Sequence, residues 1–364
     1  MAVETYRQVL QRGRHGCRSV LEKCSFLSRA RSAVWILIWI WITAFLYIKP
    51  AQADENVIRL GYAKCAHCLS LKLVPRYAGN GIRIELLPFN TGSDVFIALL
   101  SHVIDIGQLT YMSLPMGLDR GIDLVAVAGQ VSGGSQIVIR PDLGLKAGDW
   151  EGLKAWAARY KAGGKMLRFA ASRGSPQDLQ IRSILKEHDI RVGEDVQFVN
   201  IPNPADHPAA LARGDIDLIC TVEPFASKIR HLRSGIYFAS PYETASGNLT
   251  NLMITRADVL QSNPAGIQSV VDAVVAVNAA IDRDHGLWID TVMSATGLDR
   301  DIVTDAVGNL VPDYRMHRSQ AQAIARMMFA LKYISRDRSE DVAAHMDYRF
   351  LEKATSKTIP ELGG

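Results

Sequence analysis

Residues 62–68 read Tyr-Ala-Lys-Cys-Ala-His-Cys. Two thiols three positions apart, an imidazole between them and an ammonium just before them can do chemistry together. Cys65 and Cys68 share one side of a helical turn, and a helix start favours the thiolate. Four readings fit: a Cys65–Cys68 disulfide in an oxidising compartment, buried inert thiols, a redox pair, or a soft-ligand site. In the last reading Lys64, Cys65, His67 and Cys68 contact a soft metal or a sulfur-bearing ligand. Three local donors do not complete a zinc tetrahedron. The fourth would come from the ligand or from Cys220, expected at the end of a strand facing the same cleft.

Other segments offer donors for an anion. Arg173-Gly174-Ser175 joins a guanidinium, a glycine turn and a hydroxyl cap at a helix start, where backbone N–H groups point outward. The same residues also make a plain capping box beside a solvated arginine. Gln108 to Tyr111 follow a strand and lead into a helix, so the Gln108 amide and the Thr110 hydroxyl can hold an oxyanion or simply cap. Gly134 and Ser135, after Gly133, allow close backbone approach to a ligand or make a loop of positive φ. Glu223 stands before Pro224 at a strand end, as a partner for a ligand amine or for a hinge. No Walker loop, H-E-x-x-H or nucleophile elbow occurs, so no enzyme is expected.

These groups need elements to hold them. Short apolar runs at 56–62, 82–89, 104–107, 124–129 and 136–140 read as strands, 68–78 reads as a helix, and 91–102 reads as a helix with Thr91 and Asp94 as a capping box. The pattern repeats, with strands near 167–172, 196–200 and 216–221 and a helix capped by Ser175. Alternation of this kind argues for an α/β fold with mainly parallel sheets, the first over 55–140 and the second over 143–239. Ligands bind beyond the carboxyl ends of such strands, and two facing sheets make a cleft. From Asn263 the chain reads as helical, with Ile267, Val270, Val271, Val274 and Ile281 on one face and Ile324, Met327, Met328 and Leu331 on another.

The chain has 364 residues, 48% of them hydrophobic, enough for a full core. Its formal charge of +4 is concentrated at the start: residues 1–53 hold eight Lys/Arg and two Asp/Glu, leaving 33 basic and 35 acidic side chains beyond them. Nothing there suggests a nucleic-acid partner. The arginines, the apolar run Ala33 to Ile48 and Ala51-Gln52-Ala53 read as a signal peptide over 1–53 cleaved after Ala53. Cys17 and Cys24 would leave with it.

Four stretches carry a family resemblance: "IRLGY", "ALLSHVIDIGQLTYMSLPMGLDRGIDLVAVAG", "ASRGSPQDLQIRSIL" and "AALARGDIDLICTVEPF". In this order they resemble the periplasmic solute-binding proteins of ABC importers, in the nitrate/sulfonate/taurine and pyrimidine-precursor group. The resemblance implies a type II periplasmic-binding-protein fold: two α/β lobes around a cleft and a helical C-terminal tail. Lobe one would comprise 55–141 and 242–364, and lobe two 142–241. It further implies a monomer in the periplasm with no cofactor. That monomer would close on a small anionic organic or inorganic solute and deliver it to a membrane permease with a cytoplasmic ATPase. The family's counterpart of Glu223 often does structural work, and Tyr242 falls at the return to lobe one, where an aromatic can cover a ligand or pack. The alternatives are a soft-metal or sulfur-ligand binding or sensor protein using the Cys-x-x-Cys, and a relative of the thiamine-pyrimidine synthases, whose clustered-cysteine iron motif has no counterpart here.

Overall fold

The computed structural model describes residues 57–79 and 81–364. The expected signal peptide and its expected cleavage after Ala53 lie outside the described residues.

Among the described residues, eleven strands form two mixed sheets. They are β1 (Val57–Ala63), β2 (Arg83–Phe89), β3 (Ile106–Thr110), β4 (Leu124–Gly133), β5 (Ser135–Ile139), β6 (Leu167–Ala171), β7 (Val196–Asn200), β8 (Leu218–Val222), β9 (Ile236–Ala239), β10 (Asn251–Arg256) and β11 (Leu310–Asp313). The first sheet has the order β11-β4-β10-β3-β1-β2 and the second β7-β6-β8-β5-β9. In each, a parallel α/β core (β2-β1-β3; β7-β6-β8) is extended by antiparallel strands. The sheets are therefore less parallel than alternation alone suggests. β10 and β5 enter their sheets from the other sheet and run antiparallel to both neighbours.

β5 corrects the expected boundary. The apolar run at 136–140 belongs to the second sheet, paired with β8 and β9. The chain crosses at Gly133-Gly134 rather than at 141, and it returns between Ala239 and Asn251. Both glycines have φ of +81°. A Cβ on Gly134 would collide with Leu310, and one on Gly133 would stand 2.8 Å from the Asn309 carbonyl oxygen. The crossing thus needs glycine for its backbone conformation and for space.

β4 is buried along its whole length, which fits its apolar composition in a strand covered on both faces. The helix Pro264–Arg283 lies in the main core, with Ile267, Val270, Val271, Val274 and Ile281 fully buried. Asn263 caps it, accepting from Gly266 N–H. The later stripe splits: Ile324 and Met328 are buried, whereas Met327 and Leu331 are only partly covered. Two smaller clusters cover the faces of the second sheet. The segment expected as one helix after β1 is a four-residue α-turn, Ala66–Leu69, followed by a 3-10 run, Ser70–Tyr77, that contains Pro75. Proline lacks the N–H that an α-helix would use there.

Candidate functional site

A cleft of about 550 Å³ opens between the two sheets. Its walls are the carboxyl ends of β1, β2, β3, β6, β7 and β8 with the loops that follow them, and the start of β10. The ligand position expected for open α/β sheets is therefore present twice, face to face. Its volume suits a small solute.

Lys64, Cys65, His67 and Cys68 line the first-sheet wall. Cys65 and Cys68 are joined as a disulfide. His67 Nε2 stands 3.3 Å from Cys65 Sγ, while its buried Nδ1 has no hydrogen-bond partner. Burial pushes the imidazole down to about 4, so it is neutral near pH 7. The turn is pinned from behind. Trp288 Nε1 donates to the Ala66 carbonyl at 3.0 Å, and Gln130 Nε2 donates to the His67 carbonyl at 2.9 Å. Lys64 donates to Asn90 Oδ1 at 3.2 Å.

β3 delivers Gln108 and Thr110 to the same wall. One Gln108 amide N–H is already used, donating to Gln130 Oε1 at 2.9 Å, and Thr110 Oγ1 sits 3.5 Å from Ser113 Oγ. Sequence reasoning missed the neighbour that matters here. Asn251 opens β10 directly opposite Thr110, lines the cleft, and buries an Nδ2 with no partner. An unpartnered amide at a cleft wall leaves a donor free for water or a solute. Only the antiparallel insertion of β10 reveals it, so no local signal could have done so.

From the second sheet come Arg173, Gly174, Ser175 and Gln177. Ser175 caps the helix Pro176–Glu187, accepting from Asp178 N–H, and the Gly174 N–H donates to Asp178 Oδ2. That part of the capping reading is therefore real. The exposed Arg173 guanidinium lies 5.0 Å over the Phe198 ring. Among the described residues neither Arg173 nor Lys64 has a carboxylate within ion-pair distance. The acid in the lining, Asp94, is occupied by the backbone and hydroxyl of Thr91. The cleft is thus rich in donors and positive in its unpaired charge.

Residues 51–305 match the family described as NMT1-like, well over half of the chain. The chain belongs to the NMT1-like family. No curated protein sequence matches it. Solved structures share the fold of this NMT1-like protein. The nitrate-binding protein NrtA of Synechocystis PCC 6803 has a TM-score of 0.71 at 16% identity, over 83% of this chain and 88% of that one. A ligand-binding component of an ABC-type import system from Staphylococcus aureus, solved with zinc bound, has a TM-score of 0.68 at 19% identity, over 83% and 100%. The alkanesulfonate-binding protein SsuA of Xanthomonas axonopodis pv. citri, bound to MOPS, has a TM-score of 0.64 at 19% identity, over 78% and 96%. The fold is that of periplasmic binding proteins, as the sequence resemblance implied.

Several residues that the sequence pointed to lie elsewhere in the NMT1-like protein. Tyr111 is buried behind the cleft, its hydroxyl donating to the Arg315 carbonyl. Gly134 makes the crossing, and its carbonyl accepts from Glu223 N–H. Ser135 stays off the wall but positions it, accepting from Gln177 Nε2 at 2.8 Å. Tyr242 buries its hydroxyl without lining the cleft. Cys220 is packed in a second-sheet core cluster, and burial pushes its thiol up strongly. It cannot complete a metal site with Cys65, His67 and Cys68, because β8 runs two residues further and it is Val222 that reaches the cleft.

Glu223 joins the two sheets. Its backbone carbonyl accepts from Ala66 N–H, and its buried carboxyl accepts from Asn309 Nδ2 at 2.9 Å and Ser227 N–H at 3.0 Å. Burial pushes the carboxyl from about 4.5 up to about 7; Ser227 and Arg230 pull it down and Asp305 adds to the rise. A raised folded pKa means the folded form holds an extra proton between those values. This contribution to stability is full below about pH 4.5 and is lost as pH rises through about 7. The unfolding free energy of the native chain minus that of Glu223→Gln should therefore fall across this window, by up to about 3 kcal/mol. Urea unfolding of both proteins at several pH values measures it, and a difference independent of pH would exclude the shift.

Proposed function

We propose that this NMT1-like protein is the extracytoplasmic solute-binding component of an ABC import system. It captures a small oxyanion between two lobes, 57–133 with 251–364 and 135–239, and presents it to a membrane permease driven by a cytoplasmic ATPase. It acts as a periplasmic monomer and leaves its solute chemically unchanged. The observation that carries this reading is the cleft's charge: among the described residues Lys64 and Arg173 have no ion-pair partner, Asn251 Nδ2 has no hydrogen-bond partner, and the lining carboxylate is already occupied. The nitrate- and sulfonate-binding proteins of the same fold are named for oxyanions. The aromatic lining residues are Phe96 and Phe225, a thin basis for stacking a pyrimidine.

The test is a binding panel of nitrate, bicarbonate, a short alkanesulfonate and a neutral pyrimidine, read by calorimetry and by small-angle scattering. An oxyanion should bind and reduce the radius of gyration. Arg173→Ala should weaken it about tenfold or more, since a charged hydrogen bond contributes about 1.5–3 kcal/mol. Ser175→Ala should cost about 1 kcal/mol of stability as a lost cap and weaken binding further than that. Binding of the pyrimidine alone, or a radius unchanged by a bound oxyanion, would overturn the proposal.

A further inference from the structure

The Cys65–His67–Cys68 turn has a feature that anion capture does not use. The three donor atoms lie within 4.8 Å of one another. His67 is 5% exposed, its Nε2 meets only sulfur, and its Nδ1 has no partner. A purely structural buried histidine has its nitrogens satisfied by hydrogen bonds, as His207 does here with Thr221 and the Ile201 carbonyl. We propose that reduction of the Cys65–Cys68 disulfide turns this wall of the cleft into a binding site for a zinc-class divalent cation, held by Cys65 Sγ, His67 Nε2 and Cys68 Sγ.

The donor set is the argument for the metal class. Two thiolates and an imidazole select zinc-like cations over magnesium or calcium, which take oxygen ligands. Three protein ligands leave one tetrahedral position open, the arrangement of a site that accepts an exogenous ligand. All three residues line the cleft, so the open position can face a bound solute. The supporting bonds from Trp288 to the Ala66 carbonyl and from Gln130 to the His67 carbonyl do not depend on the disulfide. The turn therefore keeps its shape when the disulfide opens.

The reducing step balances with a dithiol. The dithiol gives two electrons and two protons, the Sγ–Sγ bond breaks, two Cys thiols form, and the donor leaves as its own disulfide. The cation then displaces both thiol protons to solvent. With the disulfide intact the two sulfurs hold no thiolate charge, and the site is closed to metal. The redox state of the compartment thus gates metal capture.

The experiment needs no solute, so its failure leaves the anion reading intact. Purified protein is freed of metal and reduced with a trialkylphosphine, which takes its oxygen from water and, unlike a dithiol, binds zinc weakly. Zn²⁺ is titrated in competition with a chromogenic chelator, and Co²⁺ is followed through its thiolate charge-transfer absorption. The reduced protein should take up one Zn²⁺ per chain and develop the Co²⁺ band. The oxidised protein and reduced Cys65→Ser/Cys68→Ser should do neither. His67→Gln should lose tight Zn²⁺ uptake while retaining a weaker Co²⁺–thiolate band. Near-ultraviolet circular dichroism verifies that each protein is folded. Equal uptake by the oxidised protein, unchanged uptake by the double variant, or no uptake by folded reduced protein would overturn the proposal.

Discussion

Trp288→Ala should lower the unfolding free energy by about 3–5 kcal/mol. Trp288 is fully buried in the main core, on the helix His285–Thr296, and its indole N–H donates to the Ala66 carbonyl. Alanine would leave a large cavity and an unpaired carbonyl behind the turn that carries Cys65, His67 and Cys68. Trp288→Phe keeps most of the volume and removes the donor, so it should cost about 1–3 kcal/mol. Urea unfolding gives both values. Hydrogen exchange should show faster opening at residues 66–69 in both variants. Unchanged exchange there would mean that the turn is held by other contacts.

Asp178→Ala should cost a similar amount, about 3–5 kcal/mol, because it strips the acid from a buried charged network. Asp178 is 1% exposed. It accepts from Arg182 Nε at 2.6 Å, from Gly174 N–H at 2.9 Å and from Tyr333 OH at 2.6 Å. The first two bonds fix the helix that starts at the second-sheet wall. The third comes from the other side, since Tyr333 packs against the first-sheet core. Removing the acid should therefore loosen the anion-facing turn and release a clasp across the cleft together. Tyr333→Phe separates the two effects: it keeps the turn and loses only the clasp, at about 1 kcal/mol. Scattering of solute-free protein should show a larger radius for Tyr333→Phe than for the native chain. An unchanged radius would mean that this bond does not restrain the two sheets in solute-free protein.

The features that could be read from sequence are those decided within a few residues. Thr91, Ser175 and Asn263 each cap the helix expected of them, because a cap is settled between a side chain and an N–H three positions on. Strand and helix alternation gave the α/β class, and the apolar face of residues 267–281 gave a core helix, since burial follows helical spacing. Nine of the residues singled out as ligand contacts line the cleft: Lys64, Cys65, His67, Cys68, Gln108, Thr110, Arg173, Gly174 and Ser175. Gln108 and Thr110 lie at the carboxyl end of β3 and the others just after β1 and β6, strands of the parallel cores, which put their carboxyl ends on one edge.

What went wrong or unseen was decided between distant residues. The run 136–140 reads the same in either sheet, and only its pairing with β8 and β9 assigns it to the second. Cys220 ends an apolar run on paper, but two further residues of strand carry the chain past it to the cleft. Asn251 reaches Thr110 because β10 returns antiparallel beside β3 after the whole second sheet has been built. Tyr333 meets Asp178 from 155 positions away. The sequence by itself therefore determined the elements, their caps and the loops that carry donors. Tertiary structure alone decided which sheet each strand joins, which donors keep an unspent hydrogen bond, and which side chains bridge the cleft. Those outcomes depend on partners that the chain brings together only when both sheets close.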